Sequence, residues 1–462
     1  MIQNPLRLIV TLSLLLFAGG HALAEDNIPS AQTLTGGQAE VVRWDEIKTL
    51  DLEQAAKIAL KNNPTLAAAE ARVRQARERL QQARARYWPS LDATLSGARI
   101  SYAENNPNLF GDDPEKRYQA ALTATWVLFD GFSRKFSNAV ARYGQSQSES
   151  AKNEAKRLIL SAVAAAYFAA QLALEDIAIA KADETFNQRQ LVEAQARQKI
   201  GTGSLSDVLN FKIRVNEAKT RLINAERVFE ETMFTLAAQL GAPESRFPSG
   251  MTLARLKQET ADEMTPPDPD ALARYALSHR PDILESQFVL KQADAQIKIA
   301  HSRFYPSINI AASADGLRRD DPAFKQDDFG NTFGVNLTYN LYSGGYDRAR
   351  TRELRARELE LQKGLKALNI RVSSGVRISS TQVITTQRQI VLQRANTELN
   401  QQNRDLVEKE YAAGQVSLVR LNEAQRDLTT ARSRLALALA SLQQAWFNLE
   451  TDTGRILVIL AE

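Results

Sequence analysis

Few side chains in this sequence could make or break bonds, and none sits in a pattern that would. Beyond the N-terminal segment two histidines remain, His279 and His301, and neither has a second ligand at metal-binding spacing. His279 precedes Arg280-Pro281 at a helix break and His301 lies on an Ala-rich helix, so both read as structural. The absence of cysteine removes thiolate metal sites, thiol nucleophiles, disulfides and a lipid-modified N-terminal Cys. Gly201-Thr202-Gly203 superficially looks like a dinucleotide loop, but no strand precedes it and no acidic residue follows a βαβ unit. The 58 Lys and Arg are interleaved with 54 Asp and Glu as on solvated helix faces, leaving a formal charge of +4 and no reason to expect nucleic acid. No carboxylate pair stands out for acid-base work. The expectation is therefore no enzyme, no cofactor and no metal.

The same glycines make sense as turns between long helices. Arg134 to Gly241 reads as a helical hairpin (134–240) turning at Ile200-Gly201-Thr202-Gly203-Ser204, and Asp347 to Gly454 as a second (347–453) turning at Ala413-Gly414-Gln415-Val416-Ser417. Gly131, Gly201, Ser204 and Gly241 recur at one constant offset as Gly344, Gly414, Ser417 and Gly454. The returning helix of the first copy carries Phe211, Val215, Ala218, Leu222, Ala225, Phe229, Thr232 and Leu236 at alternating spacings of four and three. At the same offset stand Ala424, Leu428, Ala431, Leu435, Ala438, Leu442, Ala445 and Leu449. A period of about 3.5 residues held this long means supercoiling, because a relaxed helix of 3.6 would rotate its apolar stripe away from its partner. The long helices, about 67 residues each, reach about 100 Å. A helix at 53–87, interrupted at Asn62-Asn63-Pro64, and one at 282–304 precede the two hairpins.

Between Trp88-Pro89-Ser90 and Gly131, and between Tyr305-Pro306-Ser307 and Gly344, the period changes to two. Strands are expected at 90–102 and 117–129, then at 307–317 and 331–342. Phe333, Val335, Leu337, Tyr339 and Leu341 alternate with Thr332, Gly334, Asn336, Thr338 and Asn340; Tyr118, Ala120, Leu122, Ala124, Trp126 and Leu128 form the matching apolar row. About ten tilted residues suffice to cross a membrane as a strand. Four strands cannot close a barrel, and an open edge in lipid leaves backbone donors unpaired, so membrane insertion would require several chains. A water-exposed sheet capping a helical bundle is the other reading of this alternation.

Residues 1–24 read as a signal peptide. Arg7 precedes an apolar run from Leu8 to Ala18, too short at about 16 Å for a ~30 Å hydrocarbon core, and Ala22-Leu23-Ala24 offers a cleavage site. No later segment reads as long and apolar enough to cross as a helix, which leaves a protein outside the cytoplasm or a β-barrel. The domain reading is a first repeat at 25–241, an irregular connector at 242–268 rich in Pro, Ser and charge, and a second repeat at 269–462. Small polar residues from Ser373-Ser374-Gly375 to Thr385-Thr386-Gln387 suggest a face toward water on the second long helix.

The tandem duplication, the two Pro-Ser junctions, Val127-Leu128-Phe129-Asp130-Gly131 with Asn340-Leu341-Tyr342-Ser343-Gly344-Gly345, and the Gly-x-x-Ser turns at Gly201 and Gly414 together resemble the TolC-like outer-membrane channels of efflux pumps and type I secretion systems. The resemblance covers nearly the whole chain after the leader. It implies a mainly α fold with membrane β: a homotrimer whose twelve-stranded β-barrel, four strands per chain, continues as an α-helical coiled-coil barrel across the periplasm from the Gram-negative outer membrane. It implies outer-membrane lipid, a periplasmic adaptor protein and an inner-membrane transporter of RND or ABC type as partners. Gly201, Thr202, Gly203, Ser204 and Leu205, with Gly414, Gln415, Val416, Ser417 and Leu418, match the tips that meet the adaptor, and are expected to be exposed. Tyr411 and Asp207 match residues of the periplasmic gate. Val416 replaces the family's arginine, and Arg420 and Glu423 stand where its acidic rings would be; Arg420 is expected to pair with Asp207 or Glu423. The alternative function is a secreted or periplasmic coiled-coil scaffold or adaptor without a pore.

Overall fold

The computed structural model describes residues 44, 47–101, 115–248, 250–257 and 265–460. The leader at 1–24, the lead-in to residue 43 and the polar loop at 102–114 lie outside the described residues. Residues from Thr49 onward form one compact unit.

It begins with β1 (Thr49–Leu50), α1 (Leu52–Asn62) and α2 (Pro64–Ala85). The expected 53–87 helix is two helices because Asn63 adopts an extended backbone, accepts from Thr65 N at 2.9 Å and is followed by Pro64 at the first helical position. Then come β2 (Ser90–Ile100), β3 (Glu115–Asp130), α3 (Ser133–Lys199) and α4 (Leu205–Leu240). After β4 (Thr252–Leu253) the second repeat supplies α5 (Pro269–His279), α6 (Pro281–Ser302), β5 (Ser307–Arg319), β6 (Phe329–Thr338), α7 (Tyr346–Ala412), α8 (Leu418–Thr453) and the short α9 (Ile456–Ile459). Both long helices have 67 residues and both returning helices 36.

The four longer strands form one antiparallel sheet ordered β2-β3-β5-β6, so the repeats join through β3 and β5. Register separates its faces. Leu91, Ala124, Ala312 and Phe333 are cross-strand partners in one row, and Asp92, Thr123, Ser313 and Thr332 in the next. Two details differ from the alternation expected. A bulge between Val127 and Phe129 takes Leu128 out of the ladder, and Phe129 rather than Leu128 pairs with Ile308. β6 runs from Phe329 to Thr338, not 331–342, because its partner begins at Ser307 and the preceding Pro306 has no N–H to extend the ladder; Tyr339 and Leu341 continue unpaired and exposed.

The connector is not wholly irregular. β4 pairs in parallel with β1, and Tyr167 Oη and Gln171 Nε2 of α3 donate to Leu50 O (3.2 Å) and Ala254 O (2.6 Å), fixing this ladder to the helices. Burial raises the Tyr167 hydroxyl to about 12, with Asp51 adding to the rise.

α3 does contain a window long and apolar enough to cross a bilayer, contrary to the sequence reading. Packing accounts for it: Leu160, Val163, Ala164, Tyr167, Phe168 and Ala170 are buried, and α3 lies against α1, α2, α4, α6, α8 and α9. The small polar stretch of α7 is likewise packed where it meets α5 and α8. Ser380, Thr386 and Gln387 are buried, with Ser380 Oγ donating to Val376 O at 2.8 Å and Thr386 Oγ1 to Gln382 O at 2.8 Å. Small side chains let the three helices approach there; Ser374, Thr381 and Thr385 remain exposed.

Candidate functional site

The two hairpin turns lie at the far end of the long helices from the sheet. At the first, Gly201 has φ +77°, and Thr202 N and Gly203 N both donate to Arg197 O, at 3.0 and 3.1 Å, closing the end of α3. Ser204 then caps α4 by accepting from Ser206 N at 3.0 Å. The second turn repeats this with Gly414 at φ +76°, Gln415 N donating to Glu410 O at 2.9 Å, and Ser417 Oγ accepting from Arg420 N at 3.4 Å. The turn residues differ in exposure. Thr202, Ser204 and Leu205 are exposed, as are Gln415 and Ser417. Val416 and Leu418, expected outside, are half-buried because they close an apolar cluster of Phe186, Ala194, Val208, Phe211, Val407, Leu421 and Ala424 beneath the tips.

Tyr411 belongs to the same cluster. Its ring lies edge-on to Phe211 with centroids 6.3 Å apart, and the Arg197 guanidinium sits 5.4 Å from its centre. Burial pushes the Tyr411 hydroxyl above its ordinary value, Asp207 adds to the rise and Arg197 opposes it. Asp207 thus acts on Tyr411 across the hairpins through its charge, with no hydrogen bond between them. Arg420 is not brought to Asp207: its ion pair is with Glu423, at 3.8 Å on the same helix, with both side chains about half exposed. Such a pair contributes only a few tenths of a kcal/mol.

A polar hub one level further from the tips was not legible in the sequence. Asp183 of α3 is only 4% exposed at its side chain, yet sits among charged and polar groups of three helices. Its Oδ1 accepts from Gln425 Nε2 (2.8 Å) and Thr429 Oγ1 (3.4 Å) of α8 and Asn187 Nδ2 (3.3 Å), and its Oδ2 from Arg221 of α4. Asn422 Nδ2 donates to Asn210 Oδ1 at 3.0 Å nearby, a direct α8 to α4 bond. These residues line a cleft of about 370 Å³ between the two returning helices. A buried carboxylate with four donors is fixed in place, so it ties both hairpins to one point.

The arrangement has no reacting group and no cluster able to hold a metal ion among the described residues. It offers two helix turns joined through an apolar knot and a charged hub, below a sheet with one apolar face. The model of the outer membrane efflux protein family matches residues 55–242 and 272–455, one match per repeat. The chain belongs to that family. The family's outer-membrane channels extend into the periplasm, and so does this one, with the sheet as its membrane part. The pyoverdine export outer membrane protein OpmQ of Pseudomonas aeruginosa is 26% identical over 87% of this chain and 84% of its own. The probable outer membrane lipoprotein SilC of Salmonella typhimurium is 29% identical over 86% of this chain and 84% of its own. The Campylobacter jejuni CmeC outer membrane channel superposes with a TM-score of 0.76 at 18% identity, covering 87% of this chain and 85% of that one, which shows a common fold.

Within this outer membrane efflux protein the tips carry more apolar surface than the turn motifs announce. Ile200 (75% exposed), Leu205 (57%), Leu209 (52%) and Ile213 (57%) run along one flank of the first hairpin, and Val419 (64%) stands on the second. The signal was present as a four-residue spacing from Leu205 to Ile213, offset from the buried seam at Phe211 and Val215.

Proposed function

We propose that three copies of this chain close their sheets edge to edge into a twelve-stranded barrel, and that the helices continue the bore toward an inner-membrane transporter of RND or ABC type. The observation that carries this reading is the sheet itself: β2 and β6 are its outer strands, with one apolar face and no chain segment among the described residues covering their free edges. In lipid such edges must be paired, and a second copy of the same edges is the simplest partner. The relatives include proteins named for pyoverdine export and for cation efflux, which suits a duct whose cargo is chosen by the transporter below it.

The exposed tip residues Thr202, Ser204, Leu205, Gln415 and Ser417, turned by Gly201, Gly203 and Gly414, are the surface for a periplasmic adaptor protein. Leu209, Ile213 and Val419 extend it. Tyr411 and Asp207 form the gate within each chain, and the Asp183 hub holds α8 against α3 and α4 in the closed position. Arg420 and Glu423 line the entrance and set its charge. Fractionation tests the channel reading: the protein should sediment with the outer membrane and run as a heat-modifiable trimer, whereas release by osmotic shock as a monomer would contradict it. For the entrance, Arg420→Ala should shift ion selectivity toward cations in planar bilayers; unchanged selectivity would remove Arg420 from the gate.

A further inference from the structure

The α6 and α7 pair carries two clefts just below the sheet, on opposite flanks, and their arginines differ. One is lined by Ser307, Thr338 and Asn340 of the polar strand face together with Arg303 and Arg350. There Arg303 Nε lies 3.2 Å from Asp347 and Arg350 Nη1 2.6 Å from Glu353. The other, about 450 Å³, is lined by His301 of α6, Phe304 in the turn after it, and Arg348, Thr351, Arg352 and Arg355 of α7. Arg348, Arg352 and Arg355 have no carboxylate partner among the described residues. All three are exposed, so water and salt weaken their mutual repulsion, and an anion between them would turn it into attraction.

The position identifies the anion. At about 100° per residue, positions 348, 352 and 355 lie opposite 346, 350 and 354 on α7. The arginine cleft therefore opens on the side of the apolar strand face, the side of Ile308, Ile310, Val335 and Leu337. Phe304, exposed beside His301, lies three residues before β5 begins. From Arg348 to Arg355 the helix rises about 10 Å, the scale of a headgroup layer next to the hydrocarbon core.

Resting on the proposed channel, we propose that this cleft binds the headgroup of an anionic phospholipid of the periplasmic leaflet, with its phosphate held by Arg348, Arg352 and Arg355 and the start of its acyl chains against Phe304. Arginine forks match phosphate oxygens, and an aromatic ring at the boundary accepts the chain. Arg303 and Arg350 of the other cleft are already neutralised by Asp347 and Glu353 and would not compete.

The test uses the full-length assembled protein in zwitterionic detergent, titrated with phosphatidylglycerol or phosphatidylcholine and read by native mass spectrometry. Phosphatidylglycerol should be retained in preference, and the combined variant Arg348→Gln, Arg352→Gln, Arg355→Gln should weaken it by roughly a hundredfold, about fivefold per arginine. Removing the paired charges of the other flank with Arg303→Gln, Arg350→Gln should leave retention unchanged. Equal retention of the two lipids, or equal loss in both variants, would overturn the proposal. So would displacement of the lipid by millimolar inorganic phosphate, which would point to a free anion. A lower melting temperature of the cleft variant in lipid-free detergent would assign these arginines to a subunit contact instead. Conductance of the wild type in planar bilayers, read separately, distinguishes failure of this site from failure of the channel reading.

Discussion

The two helical hairpins share length, turn type and caps, but they are packed differently. α8 lies between α7 and α3 and also meets α5 and α9. Its seam is buried almost throughout, at Leu421, Ala424, Leu428, Ala431, Leu442, Ala445 and Leu449. α4 packs chiefly on α3, and its seam is buried only at its ends, near Phe211 and Leu236, while Leu222, Ala225, Phe229 and Thr232 are half-buried. Duplicated positions that act through the backbone have thus kept their residue type, whereas side-chain positions have diverged with their neighbours. The half-covered seam of α4 marks a flank that an adjacent copy can complete.

The largest effect should come from the tip knot, where the repeats are complementary in volume. Phe211 is fully buried and its repeat equivalent Ala424 lies in the same cluster. Phe211→Ala should destabilise by about 3–5 kcal/mol, and Ala424→Phe by about 1–3 kcal/mol through overpacking. Combining them should recover part of the loss, measured by thermal unfolding; simple addition of the two losses would show that the two sites do not share one volume.

Next comes a pair of glycines that tests closure. Gly131 and Gly344 both have φ +64°, but a Cβ on Gly131 would lie 2.3 Å from Ser302 O at the end of α6, while one on Gly344 meets nothing within 4 Å in the single chain. Repeat symmetry puts the end of an adjacent copy's α2 where α6 stands for Gly131. Both Gly131→Ala and Gly344→Ala should then cost roughly 2–3 kcal/mol in the assembled protein. A loss of only about 1–2 kcal/mol for Gly344→Ala, the backbone penalty alone, would mean that no neighbour approaches there.

The caps should differ by less. Ser204→Ala is expected to cost about 1 kcal/mol, and Ser417→Ala less, because its hydrogen bond at 3.4 Å is longer than the 3.0 Å of Ser204. Hydrogen exchange at the two tips would separate them.

The smallest effect is a pH dependence. Burial raises the Glu450 carboxyl above its ordinary value of 4.5, against the opposing Arg455, where the first repeat has the fully buried Ala237. The folded state holds this proton more tightly than the unfolded chain. Its contribution is therefore greatest below about pH 4.5 and falls as pH rises through the raised value. Glu450→Gln should flatten that slope and raise the melting temperature at neutral pH by on the order of 1 °C.

These contrasts follow what was legible in the sequence. Gly201, Gly414, Ser204, Ser417 and the prolines before β2 and β5 could be read directly, because each acts on its own backbone. The β1 to β4 ladder, the bulge at Leu128, the early end of β6 and the Asp183 hub depend on partners far away in the chain. No local pattern announces them. Tyr411 and Asp207 are reached only through family likeness, and the pairing of Arg420 with Glu423 rather than Asp207 depends on how the two hairpins are set against each other.

Single-channel recording from purified, unheated protein in planar bilayers tests edge-to-edge closure most directly. A discrete, reproducible unitary conductance, carried only by the fraction that migrates as a trimer and lost on heating to monomer, is the expected result. A monomeric fraction with the same conductance, or a trimer with none, would contradict a barrel shared between chains.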